Sequence, residues 1–477
     1  MKFKALHLFA GIGGGALGFQ QAREEWKGAV GTIETMAGID CDAEACADFE
    51  MITGAPAIQM DLFSRQQYID FHGHEPPDDW EEVTPFSLWQ AVGGEYPDIV
   101  FTSAPCKSFS GLLGQDKAKT KKYQALSQLT IRGIQLTLKA FEEDLPSLIL
   151  FENVPRIATR GKHLLDEIKR LLKKYGYAVS DGYHDCGEIG ALAQHRKRYL
   201  LIARNEKKVP AFVYHPPVKK MKTVGDVLKS LPLPDSLTGG KMHRLPKLQF
   251  KTWLRLALIR PGKDWRDLER NFSQYCLVAD GKETDIPEVA TGFKDGTHGT
   301  IYKVSRWDEA ANTVTGAFRP NNGAICIADP RLGCKPRSGT YGILRWDQVA
   351  NTVTGSADVH AGTCAVADPR IPEMNEKGQW VIISEEGNWH RPLTTLELAA
   401  LQGFPVQING NPLELAGNSE ARWRERIGNA VPPQASRAIA ETMLRTLMPA
   451  RENEWIMSAE EVWVQPSDET KNPLQCH

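Results

Sequence analysis

The sequence of 477 residues predicts an α/β protein built on a doubly wound parallel sheet, with a smaller, irregular, β-rich domain behind it. Three observations predict this. Short apolar runs alternate with amphipathic stretches through the first 204 residues. A glycine-rich loop follows the first of these runs. After Arg204 the pattern turns irregular, with many Gly and turn residues. Strand–helix alternation means a parallel sheet covered on both faces, and such sheets place ligands at the carboxyl ends of their strands.

The elements follow in order. Residues 5–9 read as a buried strand, then come the glycine loop and a helix from about Ala16. Second and third strands end at 36–40 and 58–62, and 98–103 is a fourth. A helix at about 126–143 leads to a strand at 148–151, and a helix at 162–175 leads to a strand at 199–203. Residues 209–222, rich in Pro and Lys, read as a linker. Between 205 and 390 lies an internal repeat: 302–331 aligns without gaps on 341–370, with 15 of 30 positions identical. The shared frame is Arg-Trp-Asp, then Ala-Asn-Thr-Val-Thr-Gly, then Ala-Asp-Pro-Arg. Two copies are too few for a free-standing solenoid, so this reads as a duplicated β unit inside one domain. Helices are expected from Thr394 and at about 434–447, and 451–477 reads as a loosely held acidic tail.

Composition narrows the class. Apolar residues are 42% and charged residues 24%, a globular average that argues against collagen-like, coiled-coil and disordered chains. No apolar run is long enough to cross a membrane, and the N-terminus lacks the pattern of a signal peptide. Nine cysteines, none in a C-x-x-C pair, argue against a disulfide framework or zinc site and fit reduced thiols in a cytoplasmic setting. The net charge of −2 is a cancellation: residues 205–304 carry 18 basic against 11 acidic groups. Residues 65–98 hold one Arg and eight carboxylates, and 452–477 one Lys and six. Outside these two stretches the chain is basic, as a polyanion-binding face requires.

Chemistry concentrates at the strand ends. Phe9-Ala10-Gly11-Ile12-Gly13-Gly14 follows a strand and opens a helix, so backbone can approach a ligand beside a positive helix terminus. Asp40 and Asp61 sit at the next two strand ends, which favours a nucleoside-containing cofactor over a plain tight turn. Cys106 in Ala104-Pro105-Cys106-Lys107-Ser108-Phe109-Ser110 is a candidate nucleophile, with a small buried hydrophobe as the plain alternative. Glu152 in Phe151-Glu152-Asn153-Val154 can give a proton or hydrogen bond to a substrate ring. In Gln194-His195-Arg196-Lys197-Arg198, strand alternation predicts that Gln194, Arg196 and Arg198 converge on one face.

The ordered set Phe-x-Gly-x-Gly, Pro-Cys-x-x-Phe-Ser, Glu-Asn-Val and Gln-x-Arg-x-Arg is completed by Arg391-Pro392-Leu393-Thr394-x-x-Glu397, Gln402-Gly403-Phe404-Pro405 and Gly428-Asn429-Ala430-Val431-Pro432-Pro433. In these motifs the chain resembles the cytosine-C5 DNA methyltransferase family, over roughly 4–204 and 390–447. The resemblance implies a Rossmann-like S-adenosylmethionine-dependent methyltransferase domain at 1–204, carrying an acidic insert at about 66–97. It implies a target-recognition domain at 205–390, C-terminal motifs at 391–450 that return to the catalytic domain, and a tail at 451–477. Lys107, Ala193 and Pro155 depart from the common motifs without removing a reacting group.

By the same resemblance, Cys106 would add to cytosine C6, Glu152 would serve N3, and Arg196 and Arg198 would hold the base and phosphate and favour the thiolate. Phe9, Ala10, Gly11, Gly13, Gly14, Leu62, Pro105, Asn429 and Ala430 would line the S-adenosylmethionine site, with Asp40 on the ribose hydroxyls and Asp61 on the adenine amino group. No metal is implied. The target would be a flipped cytosine in a specific duplex DNA sequence. Lys117, Lys119, Lys121 and Lys122 are candidate phosphate contacts, and the insert is expected to project away from DNA. Arg319 and His360, on unlike loops of the two repeats, are candidate base readers. The resemblance points to a cytoplasmic, bacterial or phage-encoded, monomeric enzyme without membrane contact, a restriction endonuclease of the same system being a candidate partner. An RNA cytosine methyltransferase and a non-catalytic DNA-binding relative are alternatives. A NAD-dependent oxidoreductase could use Gly11–Ala16 and Asp40 but leaves the other motifs unexplained.

Overall fold

The computed structural model describes residues 1–105, 120–209, 213–269, 276–279, 282–285, 301–316, 320, 325–333, 343–345, 365–367, 375, 377–380, 388–454 and 462–464. Cys106, Lys117, Lys119, Arg319 and His360 lie outside them. The chain divides into two compact units. The first comprises Met1–Ala191, Arg196–Lys220 and Ala430–His477, and the second Leu192–His195 and Met221–Asn429.

The first unit starts with β1 (Lys2–Leu8), α1 (Gly14–Gln21), β2 (Arg23–Trp26), β3 (Ala29–Asp40), α2 (Ala43–Thr53) and β4 (Ala57–Gln59). Then come α3 (Arg65–His72), α4 (Pro85–Ala91), β5 (Ile99–Thr102), α5 (Lys121–Ala140) and β6 (Leu148–Asn153). They are followed by α6 (Lys162–Lys174), β7 (Tyr177–Asp185), α7 (Cys186–Gly190), β8 (Lys197–Asn205) and β9 (Val213–Tyr214). The sheet runs β2-β3-β1-β5-β6-β8-β7, with β4 on the far part of β3. β3, β4, β1, β5 and β6 are parallel, whereas β8 is antiparallel to β6 and to β7. The order reverses at β1, with β3 on one side and β5 on the other, which puts a ligand crevice beyond the carboxyl end of β1. This is the doubly wound Rossmann-like class expected of the first domain.

Burial explains which strands are central. Every residue of β5 and β6 is buried, as befits strands covered by helices on both faces. Two edge strands escape the apolar-run reading: β2 is Arg-Glu-Glu-Trp, and the middle of β7 alternates exposed with half-buried positions. The third strand ends at Gln59 instead of running through 62, so Asp61 lies in the loop beyond it. The helix expected at 126–143 begins earlier, at Lys121 after Thr120, and ends at Ala140.

The acidic insert is folded onto this unit. Ser64 with Gln67, and Thr84 with Ser87, form capping boxes that start α3 and α4. Phe63, Tyr68, Val83, Leu88 and Val92 join the same core as β1, β5 and α5. Its charge stays on the outside while these five apolar residues are buried, and Phe86 stays exposed.

In the second unit, α8 (Phe250–Leu258) packs with β10 (Cys326–Asp329) around Leu254, Leu256, Ile259, Tyr302 and Ile325. β10 pairs antiparallel with β11 (Trp389–Pro392), and α9 (Thr395–Gln402) and α10 (Glu420–Asn429) follow. The repeat is visible in the backbone. Val304 pairs in parallel with Cys326 in the first copy, and Ile343 pairs in parallel with Ala365 in the second. Both partners are displaced by the same repeat spacing.

Segment 391–429 belongs to this second unit and 430–450 to the first. A buried ion network explains it. Arg391 donates to Asp329 Oδ2 (2.7 Å) and to Glu397 Oε1 (2.8 Å), and all three side chains are fully buried. The chain rejoins the first unit at Ala430. There α11 (Pro433–Arg451) packs on α1, and β12 (Val462–Val464) pairs with β9. Part of the expected loose tail is therefore an edge strand.

Candidate active site

The glycine loop gets its shape from backbone geometry. Phe9, Gly11 and Gly13 all have positive φ (+54°, +52° and +83°). Two of the three are glycines, the residue that takes this conformation at least cost. A Cβ on Gly13 would fall 2.7 Å from Thr53, whereas Gly11 has nothing within 4 Å of that position. The top of the loop is therefore bare backbone facing open space. Phe9 pays its strain back in packing: its ring fits against Gly133 of α5, where a Cβ would come within 2.9 Å. Ser103 Oγ donates to the Phe9 carbonyl (3.1 Å) and joins this loop to the end of β5. Ala10 and Gly14 complete the turn into α1.

Asp40 ends β3 beside this loop. Its Oδ2 accepts the Gly11 N–H (2.9 Å) and its Oδ1 the Asp42 N–H (3.0 Å). Burial raises its carboxyl pKa, and the backbone N–H groups work against that rise. Each oxygen keeps a further acceptor site for a ligand hydroxyl. Asp61 Oδ1 accepts the Phe63 N–H (3.0 Å) and Oδ2 the Trp80 Nε1–H (3.2 Å). Leu62 is buried behind it. Open backbone plus two carboxylates on successive connections suits a nucleoside with ribose hydroxyls and an exocyclic amine.

On the other side of β1, Asn153 Nδ2 donates to the Ala104 carbonyl (3.4 Å), and its Oδ1 accepts the Val154 N–H (2.9 Å). Asn153 thus ties the end of β6 to the turn that carries Pro105 and leads to Cys106. Glu152 is 7% exposed. Arg198 Nε lies 2.9 Å from Glu152 Oε1, with only 12% of the Arg198 side chain exposed. The distance makes an ion pair, yet among the described residues no donor N–H is aligned on Oε1, so no hydrogen bond is formed there. We take the pair as electrostatic, with that oxygen still open to a donor.

Gln194 belongs to the second unit, and Arg196 and Arg198 belong to the first. Pleat alternation begins only with β8 at Lys197, and residues 192–195 leave the sheet for the second unit. Gln194 Nε2 donates to Gln402 Oε1 and to the Leu401 carbonyl, and Gln194 Oε1 accepts the Val314 N–H. Arg196, 1% exposed, donates Nη2 to the Ala430 carbonyl (2.9 Å), and its own N–H is taken by Asp185 (2.8 Å). Arg198 faces Glu152. Ala430 lies in the first unit, whereas Asn429 ends the second unit's last helix.

Sequence reading missed three supports of the site: Asn153, Asp185 and Trp80. Asn153 was visible in the Glu-Asn-Val motif without a role. Asp185 carried the ordinary signal of a helix N-cap, since it accepts the Gly187 N–H at the start of α7. Trp80 is hidden in an acidic stretch and has no local signal.

Residues 3–445 match the model of the C-5 cytosine-specific DNA methylase family. The chain is 26% identical over 224 residues to the type II methylase M.HgiDII of Herpetosiphon aurantiacus, covering 46% of this chain and 56% of that one. It is 26% identical over 284 residues to the type II methyltransferase M.XorII of Xanthomonas oryzae pv. oryzae, covering 59% and 54%. The chain thus spans about half the length of the curated relatives it matches. The solved structure of the Entamoeba histolytica methyltransferase EhMeth aligns over 93% of this chain and 98% of that one, at 12% identity and a TM-score of 0.48. With a family match that runs from the first strand into the last long helix, the chain belongs to the C-5 cytosine-specific DNA methylase family.

Proposed function

We propose that the protein transfers a methyl group to carbon 5 of a cytosine in a specific sequence of duplex DNA, with S-adenosylmethionine as donor. The observation that carries the reading is Glu152: a buried carboxylate at the carboxyl edge of β6, paired with Arg198, with Oε1 open to a donor. Family membership supplies the reaction class, and the glycine loop with Asp40 and Asp61 supplies a fitting nucleoside site.

S-adenosylmethionine, when bound, would supply an electrophilic methyl group. Phe9, Ala10, Gly11, Gly13, Gly14, Asp40, Asp61, Leu62, Pro105, Asn429 and Ala430 would hold it. Carbon 5 of cytosine is a poor nucleophile, and the chain's own residues remedy that. The Cys106 thiolate adds to C6 of a cytosine flipped out of the duplex, forming the S–C6 bond and moving the ring electrons toward C5 and N3. Glu152 in its protonated form hands its proton to N3 as the displaced charge collects there, and takes it back when Cys106 leaves. Arg198 holds the Glu152 carboxylate in place, and Arg196 keeps the approach to β8 against Ala430. After methylation a water-borne base takes the C5 proton. The C5–H electrons re-form the double bond, the S–C6 bond breaks, and Cys106 leaves as thiolate. Lys121 and Lys122 start α5 directly after the catalytic loop and serve as phosphate contacts. The second unit reads the target, and the enzyme works as a monomer, paired with an endonuclease of the same restriction system.

Incubating the full chain with labelled S-adenosylmethionine and either mixed-sequence duplex DNA, with bisulfite readout, or transfer RNA tests this. Cytosine-5 methylation that disappears in Cys106→Ala is the expected result. Methylation surviving in that variant, or label appearing only on transfer RNA, overturns it.

A further inference from the structure

The acidic insert supplies a side chain to the cofactor edge. Trp80 stands in the insert's connection between α3 and α4, and its Nε1–H is the donor on Asp61 Oδ2 (3.2 Å). The indole is half-buried and lies 5.1 Å from the Tyr68 ring, which in turn stacks on His72 at 4.2 Å. The Trp80 backbone N–H is fixed to the Pro77 carbonyl (3.0 Å).

A second tie holds the next residue of the same loop. Arg132 of α5 donates Nε to the Leu62 carbonyl (2.8 Å). Its Nη2 goes to Glu82 Oε1 (2.8 Å) and the Val83 carbonyl (2.9 Å). Glu82 Oε2 accepts the Arg65 N–H (2.9 Å). The loop after β4 is therefore clamped between the insert and α5.

An aspartate in a loop has two side-chain torsions to lose when it binds a ligand. The Phe63 N–H and the Trp80 indole together leave the Asp61 carboxylate one orientation, and a carboxylate already fixed costs less entropy to use. We infer that Trp80 is a positioning residue for Asp61, and that the acidic insert is thereby a built-in part of the site for the adenine end of the cofactor. The inference rests on the proposed function, because that reading puts adenine at Asp61. Packing alone does not need the indole N–H, and this separates the inference from a purely structural role for the ring.

Trp80→Phe keeps the ring and removes the donor. The test is calorimetric binding of S-adenosylhomocysteine to the full chain, alongside its analogue with hypoxanthine in place of adenine, which lacks the exocyclic amine. Trp80→Phe is expected to weaken S-adenosylhomocysteine about five- to tenfold, the scale of one lost hydrogen bond. The hypoxanthine analogue should change by less than twofold. In an Asp61→Asn background the further Trp80→Phe change should have little added effect. Wild-type affinity in Trp80→Phe, or equal weakening for both nucleosides, overturns the inference while the proposed function stands. A wild-type chain that binds no S-adenosylhomocysteine overturns both.

Discussion

Arg198 and Glu152 face each other across two antiparallel strands, with Arg198 Nε 2.9 Å from Glu152 Oε1. Removing the cation would strand a buried carboxylate, and an uncompensated buried charge costs about 3–5 kcal/mol. Arg198→Ala is expected to lower single-turnover methyl transfer by about 100-fold or more. Arg198→Lys should recover only part of that, since an ammonium lacks the flat fork of a guanidinium. Glu152→Gln should cost about 10²–10⁴-fold. Affinity for S-adenosylhomocysteine should stay within about twofold in all three.

Two glycines of one loop–helix unit are expected to fail differently. A Cβ on Gly18 would overlap the Pro433 carbonyl and crowd Ser436. Gly18→Ala should therefore push α11 off α1 and destabilise the chain by about 1–3 kcal/mol, the usual cost of overpacking. Thermal melting is the measurement. Gly11 has room for a methyl group but not the conformation, at φ +52°. Gly11→Ala should cost only about 1–2 kcal/mol of backbone strain, and should weaken S-adenosylhomocysteine binding by more than its effect on melting suggests.

Acid should unfasten the second unit through Asp329. Burial by itself would raise that carboxyl, but Arg391 and then Arg331 overcome it and hold it at about 2, below its ordinary 3.8. A carboxyl lowered in the folded state gives stability that is whole above its unfolded value. That stability is lost as pH falls through the folded one, here from about 4 down to about 2. A gap of almost two units is about 2 kcal/mol. Urea midpoints followed from pH 6 to pH 2 should show the drop. Asp329→Asn should lower the midpoint at pH 7 and flatten this part of the curve.

Much of the first unit was legible because a parallel strand covered on both sides is a plain apolar run, as in Leu148–Asn153. Legibility stopped where strands lie at edges: Arg23–Trp26 and Val462–Val464 carry no run long enough to read. In the insert, charge masked structure, although the Ser64–Gln67 and Thr84–Ser87 capping pairs were in plain view. The partners of the candidate site residues were not legible. Gln194, Arg196 and Arg198 follow one another in a strand-like pattern, yet the chain passes between units after His195, so Gln194 belongs to the second unit and the two arginines to the first. The Trp80–Asp61 contact joins residues 19 apart across a helix, which no local pattern encodes.

The return of α11 to α1 sets an order of events during synthesis. The strands of the first sheet are complete once Asn205 has been made, but the helix that covers Gly18 and Gly190 begins at Pro433. At about 5–20 residues per second, a ribosome needs roughly 10–45 s to cross that interval. For all of that time the small-residue face of α1 is bare. The nascent first unit must wait, with its covering helix still unwritten, while residues 221–429 of the second unit are made in between.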